Sequence, residues 1–356
     1  MKSAKRALVV GGGVIGLTSA FQLARQGWQV TLFDPSPGRG ATWAAAGMIA
    51  PIAEIHPGEE TNYELQKGAL QAWRTFASAL REVTHKELCI VETGTLVLGW
   101  DGSDRRLVDQ FAHVAAAFGV IPRRVERDER PEMFEGVSPR IADGLLVGGD
   151  AWLDPDAVVA LVNEANTQLG VTIVNEMVAS VSSDDSRVEA ITDSGPFVGD
   201  IGVIATGAVA PPSGATTSGA HVIRPVHGIT VRVKGIDRSE QPMIRSYVKG
   251  NTFYMVSRPG GYNVLGASSE ERRDAGAQVG EVQRLLRDAL DVVPALETAV
   301  IVETREGNRP ASHDLRPFFE VLGGGRWAWS SGHFRHGVTL APIAAAEALR
   351  FAEGVT

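Results

Sequence analysis

Gly11-Gly12-Gly13-Val14-Ile15-Gly16 is a GxGxxG between a predicted strand at residues 7–10 and a predicted helix at about 14–26. In such a unit Gly11 allows the tight turn and Gly13 lets the backbone approach a pyrophosphate. Gly16 permits close packing of helix on strand, and the helix start offers N–H donors to phosphate. Gly27 ends the helix as a C′ residue, and the Val/Leu/Phe alternation over 29–33 predicts a second strand. Asp34 closes that strand and can accept hydrogen bonds from ribose hydroxyls, while its charge disfavours a 2′-phosphate. Strand, helix and acid in register predict dinucleotide binding. They do not separate NAD from FAD.

Composition sets the outer bounds. The chain has 356 residues, with 34 Lys+Arg against 42 Asp+Glu and a net charge of −8. That length predicts two domains or one large α/β domain. With 44% hydrophobic and 21% charged residues, disordered and fibrous classes are excluded. The acidic balance argues against a nucleic-acid partner. Cys89 is the single cysteine, so no internal disulfide forms, and no CxxC or Cys/His zinc pattern occurs. A cytoplasmic location is expected. Lys2, Lys5 and Arg6 precede an apolar run, but three glycines interrupt it and no signal cleavage site follows. No stretch reaches the roughly 18 apolar residues of a membrane span. Forty glycines exceed the usual share of about 7% and invite positional explanation.

Beyond the opening unit, apolar spacing predicts helices over 63–82 and 105–118, and Asp154-Pro155 opens another through 169. Short strands alternate with polar turns over 171–206, and further strands are expected at 221–234 and 253–267. A last helix is expected over 342–353, initiated by Pro342. The mixture defines an α/β or α+β protein. Residues 40–51 are small, apolar and uncharged, which suits either backbone packed on a large flat ligand or a buried Ala-rich helix.

Several blocks, in order along nearly the whole chain, resemble the glycine oxidase (thiamine-biosynthesis type) branch of the FAD-dependent D-amino-acid oxidase family. They are GGGVIG, Thr42 to Met48 (TWAAAGM) with Glu54 after it, Leu153-Asp154-Pro155, Ala205-Thr206-Gly207, and Pro225-Val226-His227-Gly228. Tyr254 to Arg258 leading to Gly266-Ala267, Arg309-Pro310 with Asp314, and Ser331 to Pro342 complete the set. The last block is the most specific, because plain NAD-binding Rossmann proteins lack it.

The resemblance implies a Rossmann-like FAD-binding domain (1–60, 150–215, 310–356) interleaved with a mixed-sheet substrate-binding domain (61–149, 216–309). It implies non-covalent FAD, since Cys89 matches no flavin-attachment position. The implied reaction is oxidative deamination of glycine, sarcosine or a small D-amino acid. A hydride passes from Cα to flavin N5, the imine hydrolyses, and O2 or another acceptor takes the electrons, with hydrogen peroxide formed in the oxidase case.

The residues can be matched to that chemistry. Arg309, biased to extended geometry by the following proline, has the guanidinium fork that holds a carboxylate. Tyr254 falls on the family's active-site tyrosine, and Arg335 on an arginine near substrate and flavin; with Met48 these form the expected substrate site. Expected FAD contacts are Gly11, Gly13, Val14, Ile15, Gly16 and Asp34, then Thr42, Trp43, Ala45, Ala46, Gly47 and Met48. Val178, Thr206, Gly207, Gly332, His333, Arg335, His336, Gly337, Val338 and Thr339 follow. Backbone donors before the last helix could face developing negative charge on a reduced flavin.

His336, Ser257 and Ser269 depart from the family's usual Asn, Pro and Met, and bear on specificity. No GxSxG elbow occurs, adjacent Ser312-His313-Asp314 cannot easily form a triad, and His333 with His336 lacks a third ligand, so no metal is expected. Alternatives are an FAD dehydrogenase with a non-oxygen acceptor, an NAD(P) dehydrogenase, and a catalytically silent flavoprotein. A homo-oligomer is open.

Overall fold

The computed structural model describes residues 4–55, 59–272 and 276–355, so Lys2 of the basic start lies outside the described residues. Six strands form one sheet in the spatial order Phe318–Val321, Trp327–Ser331, Ile201–Ile204, Arg6–Val10, Gln29–Phe33, Thr172–Val174. All neighbours are parallel except the first pair. Both faces are covered, which is why Ala7-Leu8-Val9-Val10 reads as a continuous apolar run. Ala7 and Val9 join a core built with the helices Val14–Arg25, Ala69–Thr84, Pro155–Gln168 and Gly337–Val355. Leu8 and Val10 face a second core beneath an antiparallel sheet of Ser180–Ser183, Val188–Thr192 and Gly195–Gly199.

An eight-stranded mixed sheet runs Val300–Ala311, Arg224–Lys234, Tyr262–Gly266, Asn251–Arg258, Met243–Val248, Thr95–Gly99, Asp143–Val147, Arg123–Glu126. Only Met243–Val248 and Thr95–Gly99 pair in parallel. Alternation again divides its faces: Leu96 and Leu98 pack toward the helix Val279–Val292, Val97 toward the helix Gly102–Ala117. The expected α/β architecture with a mixed second sheet is what the chain forms.

Some elements differ from expectation. The helix expected over 63–82 is two, Glu60–Gln66 and Ala69–Thr84, interrupted at Lys67-Gly68. The span expected over 253–267 is a hairpin of Asn251–Arg258 and Tyr262–Gly266, turned at Pro259-Gly260-Gly261. The last helix starts at Gly337, five residues before Pro342. A proline there removes the N–H that would bond the Val338 carbonyl. The buried Trp73 indole donates to that carbonyl instead, at 2.9 Å. The helix therefore tolerates Pro342 in its second turn because another helix supplies the missing donor.

Candidate active site

Strand Arg6–Val10 delivers Gly11 at φ +106°, where a Cβ would collide with the Ala205 carbonyl on the neighbouring strand's exit. Gly16 sits against the Gly11 carbonyl with no room for a side chain. Asp34 turns back over the loop: Oδ2 accepts from Gly12 N at 2.6 Å and Oδ1 from Ser36 N at 2.7 Å. Gly13 caps the helix Val14–Arg25 with no side-chain acceptor. A Cβ on Gly13 would meet only Thr42 Oγ1, at 3.6 Å, so this helix start is open. Thr42 Oγ1 accepts from Val14 N at 3.0 Å and ties the next segment to the same helix end.

That segment, a single helical turn Ala41–Ala44 followed by the short strand Met48–Ile49, is held by its carbonyls. Arg232 Nη2 donates to Trp43 O (3.3 Å) and Ala45 O (3.4 Å), and Thr230 Oγ1 to Ala44 O (3.0 Å). Arg258 Nη2 donates to Ala46 O (3.2 Å), Arg305 Nη1 to Trp43 O (3.1 Å), and Thr339 Oγ1 to Met48 O (3.2 Å). Asp154, Asp156 and Glu303 balance the three arginines. Burial still draws Arg232 down to about 10, helped by Arg305 and Arg258. The apolar segment is thus not a buried Ala-rich helix beyond the single turn Ala41–Ala44. Side chains of the eight-stranded sheet fix its course.

One cavity of about 590 Å³ runs from Gly11, Gly13 and Asp34 past Thr42 to Met48 and Thr206-Gly207, ending among Tyr254, Arg309 and Arg335. Its size suits a small-molecule or cofactor site. The sheet register assembles the far end. Arg245, Tyr254, Gly266, Thr230 and Arg305 form one row across five strands. A Cβ on Gly266 would overlap the Tyr254 ring, and one on Gly228 would overlap the Arg309 guanidinium. Both glycines thus open slots for a neighbour's side chain. Arg309 Nη1 also donates to Ser268 O at 3.1 Å. Burial lifts Tyr254 to about 12 and lowers Arg309, yet both keep their neutral phenol and charged guanidinium forms at pH 7.

Arg335 donates to Glu54 O at 3.0 Å and pairs with the Glu59 carboxylate. Arg245 donates to Ala53 O. Of the residues singled out from sequence, Gly11, Gly13, Val14, Ile15, Asp34, Thr42, Ala45, Ala46, Gly47, Met48, Thr206 and Gly207 line the cavity. Tyr254, Arg309, His333, Arg335, Gly337 and Val338 line it too. His333 is held neutral by burial, at about 4.

The remaining residues stand behind the wall. Gly16 packs on Gly11, and Trp43 lies against Arg39 and Arg305. Val178 belongs to the core under the small antiparallel sheet. Gly332, at φ +76°, makes the turn before the last helix, and Thr339 braces Met48. His336 is buried with Nδ1 3.9 Å from Glu54 Oε2. Among the three departures only Ser269 lines the cavity, whereas Ser257 Oγ bonds Asn263 Oδ1 at 2.5 Å inside the sheet.

Sequence reasoning did not single out Glu54, His227, Gly228 or Arg245 as cavity residues. Glu54 had a local signal, being the first charge after Arg39. His227 and Gly228 stand in one of the blocks that carry the resemblance, whereas Arg245 depends on cross-strand register, which carries no local signal. Among the described residues, no group of three His, Cys, Asp or Glu could hold a metal ion, and no helix is long and apolar enough to cross a membrane.

An open helix start, a tight glycine turn and a long cavity between two sheets fit a dinucleotide cofactor at one end and a small acid at the other. The sequence model of the FAD dependent oxidoreductase (DAO) family matches residues 6–350, and the chain belongs to that family. It is an FAD-dependent oxidoreductase. Its relatives include the glycine oxidase of Geobacillus kaustophilus, 31% identical over 94% of this chain and 89% of that protein. Another is the putative thiamine biosynthesis oxidoreductase ThiO of Rhizobium etli, at 30% over 97% and 95%. The crystal structure of the G. kaustophilus glycine oxidase superposes with a TM-score of 0.87 at 26% identity, covering 99% of this chain and 95% of that one. The iminodiacetate oxidase of Chelativorans sp. BNC1 superposes with a TM-score of 0.84 at 25% identity, covering 98% and 95%.

Proposed function

We propose that this protein oxidatively deaminates glycine or another small amino acid, including secondary amines such as sarcosine and small D-amino acids, and passes the electrons to O2 with release of hydrogen peroxide. The observation that carries this reading is the Arg309 guanidinium at the end of the cavity, seated over Gly228 beside Tyr254. A guanidinium so placed binds a carboxylate through two charge-assisted hydrogen bonds, and the Tyr254 hydroxyl adds a donor. Fixing the carboxylate restricts where Cα and the amine can lie, which supplies orientation in advance. The relatives' names point to the same substrate class: glycine for one, iminodiacetate for another.

The residues present fit FAD. Gly11 to Ile15 would hold the pyrophosphate at the uncapped helix start, and Asp34 the ribose. Both Asp34 oxygens accept from backbone, yet a carboxylate retains lone pairs for hydroxyl donors. Thr42 to Met48, Thr206-Gly207 and the turn from Gly332 to Val338 would line the flavin. FAD, when bound, supplies the two-electron acceptor for amine oxidation. Water then hydrolyses the imine to the oxo acid and ammonia, or to the oxo acid and an alkylamine where the substrate nitrogen carries an alkyl group.

The domain partition expected from sequence forms part of this proposal, with one amendment. Helix Ala69–Thr84 packs in the core of the six-stranded sheet and is counted with the FAD domain. A cytoplasmic setting is proposed from the unpaired, exposed Cys89.

A panel of glycine, sarcosine, D-Ala, D-Pro and aminophosphonates tests the reading. Peroxide formed in air with at least one amino acid is the expected result. Dye reduction without peroxide would move the assignment to a dehydrogenase, and neither signal would overturn it.

A further inference from the structure

Three guanidiniums, Arg245, Arg309 and Arg335, stand at the substrate end of the cavity. A carboxylate is welcome there, but the ammonium of an amino acid is repelled unless an anion faces it. Among the described residues, three acids line the cavity. Asp34 lies at the opposite end and is held by Gly12 and Ser36. Glu306 is held by the Gly276 N–H and by His227. Glu54 differs from both. Arg335 and Arg245 grip the backbone carbonyls of Glu54 and Ala53, which fixes the loop from which the Glu54 side chain projects. Among the described residues its carboxylate accepts no hydrogen bond, and its ionic contact is His336 Nδ1 at 3.9 Å, beyond hydrogen-bond range.

We propose that Glu54 binds the ammonium group of the substrate and accepts the proton it must lose before the Cα–N bond is oxidised. This rests on the deamination reading and deepens it. One N–H bond of the ammonium breaks, its electron pair stays on nitrogen, and the proton bonds to a Glu54 oxygen. No electron leaves the substrate in that step. The freed lone pair is what later supports the C=N bond.

The surroundings support the role. Glu54 is faced by Arg245 and Tyr254 from adjacent strands, Arg309 from the edge strand, and Arg335 and His336 from the turn before the last helix. Glu59 adds a like charge, and Glu54 in turn helps to raise the buried Asp150 carboxyl. Burial, only partly offset by Arg335, Arg245 and Arg309, holds its carboxyl above the ordinary carboxylate range. A carboxylate reluctant to stay ionised is a better proton acceptor. The pocket that results selects α-amino acids with a free or singly alkylated nitrogen against 2-hydroxy acids, which have no ammonium to place.

The test compares flavin-loaded wild-type protein with Glu54→Gln. Glycine affinity is read from the concentration dependence of the anaerobic bleaching rate, and that of glycolate, which keeps the carboxylate but lacks the amine, from shifts in flavin absorption. The expected result is a glycine dissociation constant raised about tenfold or more, as for a lost charged hydrogen bond, with glycolate affinity unchanged. The pH at which kcat/KM rises should also move upward in the variant, toward the pKa of the free substrate amine. Unchanged glycine binding and pH profile, or equal loss of glycine and glycolate, would overturn the role. If Glu54→Gln does not retain flavin, Glu54→Asp is used: it should preserve the preference for glycine, and losing both ligands alike would count against the proposal. Failure of every amino acid to reduce the wild-type flavin is a separate outcome and falls on the deamination reading alone.

Discussion

The Arg309 guanidinium lies across the face of Gly228, where an added Cβ would fall well inside the 3.0 Å that real Cβ contacts respect. The two residues sit on paired strands, with Val226 opposite Arg309 and Gly228 opposite Gly307. The absence of a side chain at 228 is therefore what lets the cation lie flat at the end of the cavity. Gly228→Ala should weaken carboxylate binding about tenfold or more, the scale of one charged hydrogen bond. Inhibition constants for simple carboxylates would measure it. In an Arg309→Ala background the same substitution should cost nothing further, whereas an additive loss would mean that Gly228 matters for folding instead.

Arg232 bonds the carbonyls of Trp43 and Ala45 and so shapes the wall proposed to meet the flavin. Arg232→Met keeps the apolar stem but removes two hydrogen bonds from a charged donor, each worth about 1.5–3 kcal/mol. The FAD dissociation constant should rise on the order of tenfold, read by flavin fluorescence as the cofactor is released. Unchanged retention would mean that the carbonyl contacts do not shape the cofactor wall.

Asp150 predicts a pH effect on stability. Burial raises its carboxyl to about 8, against an ordinary 3.8. Between those values the folded chain binds a proton that the unfolded chain does not, so this group's contribution to stability falls as pH rises. Its full penalty is present above about pH 8 and absent below about 4. Asp150→Asn should raise Tm at pH 8, with the gain shrinking toward pH 4. A gain independent of pH would show that the effect is not titration of this carboxyl.

Much of this fold was readable because its signals are local. The strand–glycine–helix unit at 6–25 carries its turn, cap and period within twenty residues, and Arg6–Val10 with Val14–Arg25 form as expected. Arg309 was legible as an extended residue because Pro310 constrains its neighbour, and it lies in the strand Val300–Ala311. The errors arose where distant residues decide. Pro342 looked like a helix start, since nothing in the sequence near it shows that Trp73 completes the Val338 carbonyl. The roles of Gly228 and Gly266 exist only through pairing with strands that hold Arg309 and Tyr254. Arg232 and Arg258 look like surface charges in sequence, and are buried because the carbonyls of residues 43–46 need donors.

The account stands most directly on whether Arg309 presents a small amino acid to a reducible flavin. Purified protein should carry flavin bands at about 370 and 450 nm, and anaerobic addition of glycine or sarcosine should bleach them. Arg309→Ala, loaded with FAD to the same extent, should need far higher substrate, by about 2–5 kcal/mol of lost binding to a buried charge. Bleaching of wild type and variant over the same concentration range, or no bleaching of the wild type by any small amino acid, would contradict it.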